Sequence, residues 1–126
     1  MITELLTLQN QLRIFHWGTD SYAEHKALGE TYDALNDLID EYVETFMGIY
    51  GRVKLDKNVN VTLVDLSDNI ESTVDKYIDY LQNSLTKDLS DKDTDLTNIR
   101  DEMLYRLVRK NNNNISMRIV SIQLDI

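Results

Sequence analysis

Apolar residues recur three and four apart from the start of the chain: Leu5, Leu8, Leu12 and Phe15 fall on one side of a helix. The pattern predicts a first helix that stops near Gly18. Ser21 and Glu24 then have capping-box spacing, in which each side chain accepts the other's free backbone N–H, and they open a second helix. Its inward stripe is Leu28, Tyr32, Leu35, Ile39, Tyr42, Phe46 and Ile49, about six turns long. Gly51 is placed to end it. Residues 51–66, "GRVKLDKNVNVTLVDL", lose the helical period and read as a long crossover. Asp68 and Glu71 are placed to cap a third helix that turns Ile70, Val74, Tyr77, Ile78, Leu81 and Leu85 inward. After the polar turn "KDLSDKDTD", a fourth begins near Thr94 and carries Leu96, Ile99, Met103, Leu107 and Val108.

The period then changes. "NNNN" at 111–114 is a helix stop, and beyond it Ile115, Met117 and Ile119, then Ile122, Leu124 and Ile126, alternate with polar residues as in an extended segment. A lone strand leaves its edge unpaired, so it should lie on its own bundle or on a neighbouring subunit. The expectation is an all-α single domain over 1–126. It is a four-helix bundle of the ferritin-like kind over about 2–110, with a long crossover between helices 2 and 3 and a short extended tail, 111–126.

Composition supports this reading. Among 126 residues there is no proline and there are four glycines, too few turn formers for an all-β fold. The absence of cysteine removes disulfides, thiolate metal sites and cysteine nucleophiles. No apolar run is long enough to span a bilayer, and no basic-then-apolar leader opens the chain. A cytoplasmic protein without membrane contact is expected. The net charge of −9 argues against binding nucleic acid and favours cations.

Both histidines lie in "LRIFHWGTDSYAEHKALGE", residues 12–30, and the only tryptophan, Trp17, follows the first. A lone histidine on a helix is more often a packing residue than a ligand, and an acidic face usually just faces water. Here, however, Asp33, Asp37, Asp40, Glu41 and Glu44 crowd the side of the second helix opposite its apolar stripe. Asp33 with Asp37, Asp37 with Glu41 and Asp40 with Glu44 are like-charge i,i+4 pairs, each costing a few tenths of a kcal/mol, which a bound cation would offset. Imidazole and carboxylate without thiolate suit iron or another borderline divalent metal. His25 and Asp40 are fifteen residues apart on one helix, about 22 Å along its axis, so one chain cannot close both on one ion. Two chains can, if their second helices pack antiparallel about a two-fold axis near Asp33 and Ala34, which makes two equivalent sites per dimer.

His16-Trp17, Tyr22, His25 and Asp40-x-x-x-Glu44 resemble the first and second helices of the Dps-like mini-ferritins. "HKALGETYDALNDLIDEYVE" is similar to that family's second helix without a gap, and "DTDLTNIRDEML" to the start of its fourth. The resemblance implies a ferroxidase centre between subunits, with His16 and His25 of one chain facing Asp40 and Glu44 of another. Fe(II) would be the ion, zinc a possible substitute, and Trp17 would sit beside the centre, unless it serves only as a packing aromatic. It also implies oxidation by peroxide or oxygen, storage of ferric iron that limits peroxide damage, and a shell of twelve subunits. The chain departs from the family at Gly29, where the family has an acidic residue. It also departs in a His16–His25 interval three residues shorter, in the polar "RKNNNN" late in the fourth helix, and in lacking a lysine-rich amino-terminal arm. The last departure, with the charge, leaves out DNA binding. The alternatives are a ferritin-like assembly protein with a weak or inactive centre, and an unrelated helical binding protein.

Overall fold

The structure, a computed structural model, describes residues 1–55, 58–65 and 69–114, with side chains through Val108. It is all-helical: α1 (Ile2–Gly18), α2 (Tyr22–Tyr50), α3 (Ile70–Asn83) and α4 (Thr94–Asn114), with no strand among the described residues. The predicted apolar stripes meet in one core. Leu5, Leu8, Leu12 and Phe15 of α1, Leu28, Leu35, Ile39 and Tyr42 of α2, Val74 and Leu81 of α3, and Leu96, Ile99, Met103 and Leu107 of α4 are buried together. Each large side chain so buried contributes roughly 1.5–3 kcal/mol of transfer free energy. Tyr32 and Phe46 are only half-buried, and Ile49 is exposed, so the α2 stripe leaves the core at its carboxyl end.

Four contacts fix the topology. A three-residue turn, 19–21, makes α1 and α2 antiparallel. The Tyr50 hydroxyl at the end of α2 donates to Asp93 Oδ2 at the start of α4, so these two are antiparallel as well. Gln11, buried in the middle of α1, donates from Nε2 to the Val64 carbonyl at 2.6 Å and accepts the Val64 N–H on Oε1 at 2.8 Å. That pair of bonds pins the end of the crossover beside α1. Glu4, near the start of α1, lies close to Tyr80 near the end of α3, where burial first and the carboxylate second push the phenol's pKa up. Hence α3 runs antiparallel to α1 and parallel to α2, and the chain between residues 51 and 69 must travel the length of the bundle. No described residue within it is helical or strand.

Local chemistry explains the helix ends. Gly51 closes α2 at φ 90°, a left-handed-side value that costs glycine no Cβ clash, while its N–H bonds to the Met47 carbonyl. At α3 the cap is Asn69, whose side chain accepts the Ser72 N–H, rather than the expected Asp68. That helix ends at Asn83 instead of reaching Leu85, which still packs against the core. The expected stop at "NNNN" is corrected as well: α4 continues through Asn114, so the bundle passes residue 110 and the tail cannot begin at 111. Asparagine is a mediocre helix former, costing under about 0.7 kcal/mol per residue, and without glycine or proline nothing forces a break. The alternating segment 115–126 lies outside the described residues. No helix among the described residues is long and apolar enough to cross a membrane.

Candidate metal centre

The junction of α1 and α2 builds the site. The Thr19 N–H closes α1 on the Phe15 carbonyl at 3.1 Å. Ser21 then caps α2 by accepting the Glu24 N–H at 3.2 Å, as its spacing predicts. The reciprocal half of the capping box is relayed: the Ser21 N–H donates to Thr19 Oγ1 at 3.2 Å, and that hydroxyl donates to Glu24 Oε1 at 2.6 Å. So short a turn leaves the last turn of α1 beside the first turn of α2.

There the two histidines meet. Their rings stack with centroids 3.8 Å apart and planes inclined by 20°. His16 Nδ1 lies 2.6 Å from the His25 carbonyl, and His25 Nδ1 lies 2.8 Å from the His16 carbonyl. A carbonyl oxygen can only accept, so both Nδ1 atoms carry a proton, and in the neutral form of each ring the lone pair sits on Nε2. A backbone carbonyl holding the second nitrogen is the support that metal-binding histidines usually have. The edge of Tyr32 abuts the His16 ring at 5.2 Å, and the Arg13 guanidinium lies 5.2 Å over the Tyr32 ring. Trp17 is 66% exposed and Tyr22 77%, so the indole that follows His16 in the chain is not buried in the bundle.

Gly29 faces the same ring. A Cβ at that position would stand 2.8 Å from His16 Cε1 and 3.1 Å from Nδ1, inside normal contact. From the sequence, Gly29 stands out only as a missing acidic residue, Tyr32 only as part of the inward stripe, and Arg13 not at all. An isolated glycine in a helix interior, about 1 kcal/mol worse than alanine, was the available signal that something approaches closely there.

The predicted carboxylates lie at the opposite end of α2. Asp40 and Glu44 are exposed and one turn apart, and Asp33, Asp37 and Glu41 are exposed with them. Among the described residues none of these five enters an ion pair. A groove of about 200 Å³ between α1 and α2 is lined by Ile2, Leu6, Val43, Asn36 and Asp40, and Asn36 Oδ1 is buried without a hydrogen-bond donor among the described residues. Among the described residues no three histidine, aspartate or glutamate side chains converge within one chain. The structure thus unites His16 and His25 and keeps them apart from Asp40 and Glu44.

Residues 16–110 match a family of unknown function (DUF5856), a span that begins at His16 and includes His25, Asp40 and Glu44. No curated protein and no solved structure matches the chain. The protein belongs to the DUF5856 family.

Proposed function

We propose that this DUF5856 protein is an iron-binding, ferritin-like protein that oxidises Fe(II) between two copies of the chain and stores the ferric product. His16 and His25 come from one copy and Asp40 and Glu44 from the other. The observation that carries the reading is the reciprocal pair of Nδ1–carbonyl bonds, which leaves two imidazole lone pairs free at an exposed surface. The order of the helices and the long chain between α2 and α3 are compatible with a ferritin-like bundle. The exposed acidic face of α2 would supply the hard oxygen ligands and the attraction for a divalent ion that the histidines lack.

Fe(II) is the substrate. Two Fe(II) ions and one hydrogen peroxide, with two protons, give two Fe(III) ions and two waters; dioxygen is the other candidate oxidant. The residues' task is to bind and hold the ions. Rings stacked within 20° send their lone pairs along nearly parallel planes. One ion about 2.1 Å from each nitrogen is then out of reach unless a ring turns, so each imidazole serves its own ion and the partner's Asp40 and Glu44 carboxylates complete both. Zinc fits the same donors as a redox-inert occupant. Trp17, exposed and next in the chain to His16, would be the oxidisable indole that intercepts stray oxidant. A closed shell of such dimers, twelve subunits in all, would enclose the ferric product.

Fe(II) oxidation by the native protein and by His25→Ala and Glu44→Ala tests the assignment. The native rate should exceed both variants at least tenfold, and equal rates in all three would end it. A second reading is favoured by the same stacked rings: the histidines merely lock the hairpin of an assembly protein. It predicts dimers or larger species that retain no iron, whereas a strictly monomeric protein would remove both readings.

A further inference from the structure

The close approach at Gly29 decides how the histidine pair is held. A Cβ at position 29 would stand 2.8 Å from His16 Cε1, so the ring can keep this place only while position 29 has no side chain. Three surfaces enclose that ring: the bare backbone of Gly29, the stacked imidazole of His25 at 3.8 Å, and the edge of Tyr32 at 5.2 Å. Its Nδ1 proton is held by the His25 carbonyl at 2.6 Å, one turn before Gly29 on the same helix. Displacing the ring from Gly29 would break that bond and the stack together, and would free His16 to adopt either tautomer.

We infer that Gly29 is the positioning residue of the histidine pair: it provides the seat for the His16 imidazole, and through that seat it fixes the tautomer that presents the Nε2 lone pair. The inference rests on the metal-binding reading for its consequence, but not for its geometry. It also names the ligand class. With glycine required at 29, no carboxylate of that chain can join the imidazoles from this position, so the half-site selects imidazole-preferring ions such as Fe(II) and Zn(II) over Mg(II) or Mn(II). An acid introduced at 29 therefore adds an oxygen ligand yet damages the site.

The test uses the full chain with Gly29→Ala, Gly29→Glu and His16→Ala, and Zn(II) as a redox-inert probe. Without metal, nitrogen NMR of the imidazoles should show a single Nδ1–H tautomer for His16 in the native protein and a mixture in Gly29→Ala. Zn(II) affinity should fall at least tenfold in both Gly29 variants. An unchanged His16 tautomer in Gly29→Ala, or tighter Zn(II) binding by Gly29→Glu, overturns the proposal. The ring is a movable side chain, so the methyl group added by Gly29→Ala should displace it rather than unfold the helix. Alanine's better helix propensity should then raise the unfolding midpoint more in the His16→Ala background than in the native one, and equal increments would count against the seat. If the native protein binds neither Zn(II) nor Fe(II), the metal reading fails, while the tautomer and midpoint measurements still decide the role of Gly29.

Discussion

The two ends of α2 are built on opposite principles. At the amino end polar groups are paired within the chain: Ser21 caps the helix, Thr19 relays to Glu24, and the two stacked histidines each set Nδ1 on the other's carbonyl. At the carboxyl end, Asp40 and Glu44 stand in water with like charges around them, next to a groove lined in part by Asn36, whose Oδ1 is buried without a hydrogen-bond donor among the described residues. One end is preorganised, so binding there costs little reordering; the other carries uncompensated charge, so a cation there gains most. A helix about 1.5 Å long per residue cannot bring its own two ends together, so under the proposed function these halves would complement each other only across copies.

Perturbations that act on both ends, on one, or on neither sharpen this contrast. Leu35 is wholly buried and sits between the ends on the inward side of α2. Leu35→Ala should cost about 2–5 kcal/mol in denaturant unfolding and loosen both ends together; a loss confined to one end would show that α2 does not act as one rod. Ser21→Ala should cost about 1 kcal/mol and broaden the His16 and His25 imidazole signals. Signals of Asp40 and Glu44 should stay unchanged, and coupled changes there would break the distinction.

The inward face of α2 near its carboxyl end provides a control that removes neither the histidines nor the carboxylates. Tyr42 is fully buried with its hydroxyl unpaired. Burial, opposed by Arg100 and reinforced by Asp93 and Tyr50, raises its pKa to about 12. The unfolded phenol titrates near 10, so this contribution to stability is complete below about pH 10 and is lost as pH rises toward 12. Tyr42→Phe should stay within about 1 kcal/mol of the native protein at pH 7 and lose less stability between pH 10 and 12. Some loss should remain, since burial also raises the pKa of Tyr77 and Tyr80. The smallest effect belongs to the acidic end. Asp37→Asn relieves two like-charge pairs and should stabilise the metal-free chain by about a few tenths of a kcal/mol. The gain should shrink when a divalent ion is added, and a gain that ignores the ion would argue against a cation site on that face.

Much of this was legible in one dimension. The stripes Leu5–Phe15, Leu28–Tyr42 and Leu96–Leu107 gave the helices and their buried faces, because a fixed turn angle converts spacing into direction. Ser21 and Gly51 gave the two ends of α2, because capping is chemistry between near neighbours. The length argument separating His25 from Asp40 also follows from helix rise alone. Reading "NNNN" as a stop failed, since weak propensity yields to the continuation of an established helix.

The rest depended on contacts between segments distant in sequence. That Gln11 would hold Val64, that Tyr50 would meet Asp93, and that His16 would fill the space over Gly29 required helices to be placed side by side. Residue types and periods define which face each helix turns inward; they do not define which atoms on neighbouring helices come within 3 Å. Sequence alone therefore determined the helices, their buried sides and the chemical character of the two ends of α2. Only the tertiary structure decided that the imidazoles stack, that each Nδ1 meets the other residue's carbonyl, and that the His16 ring lies against bare backbone at position 29, because close packing at the α1–α2 crossing is set by distances no spacing along the chain encodes.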